Sequence, residues 1–188
     1  MACRHYSYGY SRKQWPQKSV TGTNTIRVIA EAECPVISVQ AHANKMGFNN
    51  IVLPIDDSAH SRHKVPMCVA MANIYQSKVH ILAFKPKKDV EDSHRKFVVR
   101  IEQVEDFLTE HNLISETHYT TEGNQGDDTI NFAKSIEADL IVMMTEQEFS
   151  ITGTSLGTFA NTVINRSPIA VLSVQPQESN PDNISVGY

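Results

Sequence analysis

The chain is short of several things, and each shortage removes a class of function. It has no apolar run approaching the roughly 18 residues that a membrane span needs. Its N-terminus carries no apolar core of the kind a signal peptide has. The three cysteines (Cys3, Cys34 and Cys68) are an odd number with no CxxC spacing. That argues against a disulfide scaffold and for a reducing compartment, so a cytoplasmic protein is expected. No Ser/His/Asp or Cys/His order supports nucleophilic catalysis, and no pair of carboxylates stands out for acid–base work.

Acidic residues are missing from the first 30 positions, which hold Arg4, Arg12, Lys13, Lys18 and Arg27. The net charge of −4 is therefore concentrated in the residues from Glu31 onward. An acidic main body disfavours bulk nucleic-acid binding. The basic head interleaves Tyr6, Tyr8, Tyr10 and Trp15, a composition that could stack on RNA or meet an anionic membrane. Its plainer reading is an irregular leader over residues 1–19.

What is present is the composition of a globular protein: 188 residues, 40% hydrophobic and 20% charged. That length allows one domain of ordinary size and a remainder. Ile51–Ile55 is apolar on consecutive rather than alternate residues, as a strand buried on both faces is, and Val79–Phe84, Leu140–Met144 and Ile169–Val174 also read as strands. A weaker strand is expected at 116–121. Between these runs the spacing predicts helices over 58–75, 90–112 and 157–166, and one ending near Ile136 capped by Asp127 or Asp128. Pro66 should kink the first of them or mark its true start. Gly123–Asp128 reads as a plain turn. Strands alternating with helices imply parallel βαβ units and a doubly wound sheet.

Gly22 through Gln40 and Gly157 through Gln175 align without a gap, about one domain length apart. The identical pairs include Gly22/Gly157, Thr23/Thr158, Val28/Val163, Val36/Val171, Ser38/Ser173 and Gln40/Gln175. Residues 20–40 therefore read as the last helix and strand of a preceding copy. Residues 41–49 form a linker, 50–176 one complete domain and 177–188 a tail.

Four motifs in order resemble the universal stress protein family. They are Asn50–Ser58 (NIVLPIDDS), Ala138–Met144 (ADLIVMM), Gly157-Thr158 opening a helix, and Ser167-Pro168 followed by VLSV. The resemblance implies an α/β fold. Its five-stranded parallel sheet, Rossmann-like and adenine nucleotide alpha hydrolase-like, would have the order 3-2-1-4-5, here with an extra N-terminal helix and strand. It implies a nucleotide site at the carboxyl ends of strands 1 and 4, where a doubly wound sheet has its switch point. The family positions of that site fall on Pro54, Asp56, Phe84, Met143, Met144, Gln147, Gly157 and Thr158. The family's phosphate loop reads G-x2-G-x9-G-[S/T]. Met144 and Gln147 stand where its first two glycines would be, and Glu146 and Glu148 add negative charge beside them. Side chains there crowd the approach of a phosphate that glycine would admit.

The resulting expectation is a non-catalytic stress-response protein with a degraded ATP site, acting through protein contacts. No cofactor is expected, ATP is allowed only at low affinity, and weak ATPase activity is left open. Alternatives are an ATP-binding member with an altered phosphate loop, and an RNA- or membrane-associated protein using the basic head. His60 and His63, three apart, read as a solvated face rather than metal ligands, so no metal is expected. Because family domains pair through their fifth strands, residues 35–39 should lie antiparallel to 169–174. That edge should also serve a homodimer or protein partner. Ile26, Val28 and Ile29 should keep some exposed surface.

Overall fold

A computed structural model describes residues 23–40, 47–58, 60–86, 91–121, 123–145, 147–150 and 153–175. The leader 1–19, most of the linker 41–49, the tail and Gly22 of the repeat lie outside them.

The consecutive apolar runs become the sheet. β2 (Asn50–Ile55), β3 (Lys78–Phe84), β4 (Ser115–Thr120), β5 (Leu140–Met144) and β8 (Ala170–Val174) are parallel to one another. β1 (Val36–Ser38) is added at one edge, giving the order β1-β8-β5-β2-β3-β4. Read from the β4 edge, the five parallel strands have the expected order 3-2-1-4-5, followed by the extra strand. Alternation divides each strand between two cores. Ile51, Leu53 and Ile55 pack with α2 (Val65–Tyr75) and α3 (Glu91–Glu110), through Cys68, Ala72, Phe97, Ile101 and Leu108. Val52, Leu82 and Ile141 face α4 (Gln125–Ser135) and α5 (Thr158–Arg166), through Ala133, Ala160, Val163 and Ile164.

Local chemistry sets the ends of these elements. A single 3-10 turn over His60–Lys64 precedes α2, so Pro66 marks the helix start and does not kink it. The stretch 123–128 is mostly helix and not a plain turn. Asn124 is the N-cap of α4, its Oδ1 accepting from the N–H groups of Gly126 (3.1 Å) and Asp127 (3.4 Å). Asp127 and Asp128 instead occupy the first turn, where carboxylates favour the positive end of the helix dipole. Asp139 Oδ2 accepts from the N–H groups of Asn49 (2.9 Å) and Asn50 (3.0 Å), fastening the start of β5 to that of β2.

The N-terminal pieces are integrated into the fold. β1 runs antiparallel to β8, pairing Val36 with Ser173, Ile37 with Leu172 and Ser38 with Val171. Under the internal repeat, Ile37 and Leu172 are equivalent. Val36 faces the equivalent of Ser38, and Ser38 faces the equivalent of Val36. A local two-fold axis makes this exchange. α1 (Thr23–Glu31) packs beside it, and Gln175 Nε2 donates to its Ile29 carbonyl. Ile29 is fully buried against the α5 side of the core, contrary to expectation, while Ile26 and Val28 are half-buried. The outer edge of β8 is thus occupied by β1, so among the described residues the edge open on that side is β1's own.

One element has no counterpart in the sequence reading. β6 (Gln147–Ser150) and β7 (Gly153–Leu156) form an antiparallel hairpin between β5 and α5.

Candidate functional site

A cleft opens at the carboxyl ends of β2 and β5, on the two sides of the point where the strand order reverses. Pro54 and Asp56 come from β2 and the residue after it. Phe84 ends β3, Met144 ends β5, and Gly157 sits at the N-cap of α5. The structure thus brings together five of the eight positions named from the sequence. Met143 cannot join them: neighbouring residues of a strand point to opposite faces, and Met143 is buried with Ile141 under α5. Thr158 is exposed on the first turn of α5 and does not line the cleft, and Gln147 opens β6.

The turn after β2 holds itself together. Asp56 Oδ1 accepts from the Ser58 N–H (2.9 Å), and the Asp56 N–H donates to Ser61 Oγ (3.1 Å). One oxygen of Asp56 is therefore committed to an Asx-type turn, as a local capping role requires. Arg100 of α3 donates to the Asp57 carbonyl and braces the turn from behind. Gly157 has φ −57°, open to any residue, so its backbone does not demand glycine.

Sequence reasoning missed the cleft's cation. Lys64 is buried, and its Nζ donates to the Ser61 carbonyl (2.6 Å) and Ser61 Oγ (3.2 Å). The signal was available: Lys64 precedes Cys68 by four residues, so it shares the apolar face of α2. Cys68 itself is fully buried, and burial pushes its thiol up to about 12 despite Lys64 nearby. Ser58, Gln125, Phe159 and Ala160 complete the lining among the described residues. His60 and His63 stand edge to face with ring centroids 5.3 Å apart on the exposed turn. Burial first, then the positive neighbours His60, Arg62 and Lys64, lower the His63 pKa.

Chemically, the cleft offers one ammonium, serine hydroxyls and the positive end of α5. These suit a small anion. The cavity measures about 80 Å³, well under the roughly 300 to 1,000 Å³ of ordinary ligand pockets. Met144 closes one wall where a glycine would leave space.

A doubly wound parallel sheet with a cleft at its switch point defines a Rossmann-like α/β fold. The sequence profile of the universal stress protein family matches residues 47–175, and the chain belongs to that family. No curated protein matches the chain. Among solved structures, a universal stress protein from Archaeoglobus fulgidus is 16% identical with a TM-score of 0.56. The match covers 69% of this chain and 95% of that one. A universal stress protein solved in complex with cAMP is 18% identical with a TM-score of 0.56, covering 70% of this chain and all of the other. A putative universal stress protein from Pseudomonas aeruginosa is 15% identical with a TM-score of 0.64. There the match covers 88% of this chain but 62% of the other, so this chain spans less than two thirds of that protein. Among the described residues no helix is long and apolar enough to cross a membrane.

Proposed function

We propose that this chain is a stress-response protein that acts through protein contacts, is not an enzyme, and has lost tight ATP binding at the family cleft. The observation that carries the reading is Met144 in the wall of a cavity of about 80 Å³. Titration calorimetry with Mg-ATP on the full chain tests it. The expected dissociation constant is weaker than micromolar, and a sub-micromolar value overturns the reading. Met144→Gly combined with Gln147→Gly should tighten binding.

A second reading, nucleotide binding at low affinity, is favoured by the buried Lys64 and by the neighbour crystallised with cAMP. Displacement of a fluorescent ATP analogue by cAMP, abolished in Lys64→Met, would choose it over the first.

The local two-fold between β1 and β8 supports reading residues 20–40 as the end of a preceding tandem copy. In that account β1 and the adjoining surface are where a protein partner or second chain docks, and the cytoplasm is the expected setting. Crosslinking from a photoreactive group at Ile37, 40% exposed, should capture such a partner. A crosslink pattern avoiding β1 counts against it.

A further inference from the structure

We infer that His80, Glu116 and His118 form a binding site for a zinc(II) ion on the sheet face beneath α4. The parallel register pairs His80 with Glu116 and Leu82 with His118, and the period of two brings all three side chains to one face. Among the described residues these are the three side chains of ligand type whose donor atoms lie within 4.8 Å of one another.

The separations have the scale of a coordination polyhedron. His80 Nδ1 is 3.4 Å from His118 Nε2. Glu116 Oε1 is 3.6 Å from His118 Nε2, and Glu116 Oε2 is 4.0 Å from His80 Nδ1. Zinc–nitrogen bonds of about 2.0 to 2.1 Å give a tetrahedron with edges of roughly 3.3 to 3.4 Å. An ion can therefore enter with small side-chain movements and no change of backbone.

Neighbouring groups already orient the donors. His80 Nε2 lies 3.4 Å from Asn50 Oδ1, an oxygen that can only accept. A ring proton on Nε2 satisfies that contact and leaves the Nδ1 lone pair facing Glu116 and His118. Such an outer hydrogen bond commonly fixes the tautomer of a metal-bound histidine. Lys78 Nζ donates to Glu116 Oε2 at 2.6 Å. It occupies one oxygen and leaves Oε1 turned toward His118. Phe132 of α4 packs on His118 (ring centroids 4.7 Å) and on His80 (6.5 Å), restricting both rings from the apolar side.

Two imidazoles and one carboxylate suit zinc and not the all-oxygen shells of calcium or magnesium. Glu116 and His118 lie on the edge strand, with side chains 49% and 29% exposed, so a fourth position can be filled by water. The site lies about 13 Å along β3 from Phe84 and the cleft, taking four residues at 3.3 Å each. It is independent of nucleotide binding. Its consequence is mechanical: the ion would clip β4, the least apolar of the parallel strands, to β3.

The test is zinc titration of the full chain after removal of metals, followed by calorimetry. We expect one zinc per chain with micromolar affinity or better. His118→Ala and Glu116→Gln, both at the exposed edge, should each weaken it about tenfold or more while circular dichroism stays unchanged. The His60→Ala, His63→Ala double variant should bind as the parent does. Cobalt(II) should give d–d bands without thiolate charge transfer. No zinc uptake, uptake insensitive to His118→Ala, loss of uptake in the His60/His63 variant, or a cobalt–thiolate band each overturns the proposal.

Discussion

Replacing Ile141 by Ala probes the centre of the fold. Ile141 is fully buried on β5, paired with Val52 of β2 on one side and Val171 of β8 on the other. Val163 and Ile164 of α5 belong to the same buried cluster. The substitution removes three carbons, worth about 0.8 kcal/mol each, or roughly 2.4 kcal/mol in transfer terms. Neighbours held by strand hydrogen bonds on both sides collapse poorly, and each Å³ left open adds about 24 cal/mol. The expected loss is therefore about 3 to 4 kcal/mol, within the measured range of roughly 2 to 5. Urea unfolding followed by circular dichroism reads it directly. With an m-value of about 2 kcal/mol/M, the midpoint should fall by roughly 1.5 to 2 M. Ile114→Ala is the control, since that side chain is 72% exposed and should shift stability by about 0.5 kcal/mol or less. Because Val52 and Val171 touch the same space, their alanine variants should combine non-additively with Ile141→Ala, by about 0.5 kcal/mol or more. A loss below about 0.5 kcal/mol for Ile141→Ala, or strict additivity along the row, would refute the order β2-β5-β8 and the packing drawn from it.

Other substitutions test particular contacts. Gly126→Ala should destabilise by about 1 to 3 kcal/mol, because an added Cβ would meet Thr162 Cβ and Cγ2 at 2.8 Å. Thr162→Ala should relieve part of that loss in a double-mutant cycle. Asp139→Ala removes the acceptor of two N–H groups and should lower the melting temperature, at a cost of about 1 to 3 kcal/mol by urea titration. Cys68 should resist iodoacetamide at pH 8 until the chain unfolds, because its thiol is fully buried and its pKa is raised to about 12. Rapid native alkylation of Cys68, read by peptide mapping, would contradict its place in the core.

The sheet was legible because burial on both faces leaves an unmistakable mark. Ile51–Ile55 and Leu140–Met144 are apolar at every position, and each became a central strand. β4 was placed within one residue despite its polar composition, because the alternation of elements required a strand there. The β6–β7 hairpin was not legible: its polar, glycine-containing segment has the composition of a loop, and its pairing is local. At the cleft, motif order located Pro54, Asp56, Phe84, Met144 and Gly157. It failed at Met143, where the strand period of two decides the side. Lys64 escaped notice because a charged residue at a helix start usually points to water. His80 and His118 escaped because their meeting depends on strand register, and sequence spacing alone does not reveal that.

The pairing of β1 with β8 has a kinetic and concentration-dependent side. A tethered segment faces its target at an effective concentration on the order of millimolar, whatever the protein concentration in solution. A second chain offering its own β8 would bring Leu172 to the place that Ile37 fills, competing at micromolar levels or below. For equal intrinsic affinities the tethered strand prevails by roughly a thousandfold. Exchange between chains then awaits release of a three-residue strand, a small local opening that leaves the five parallel strands intact. Crowding two copies together therefore changes little, whereas any event that peels off β1 turns a closed edge into an adhesive one.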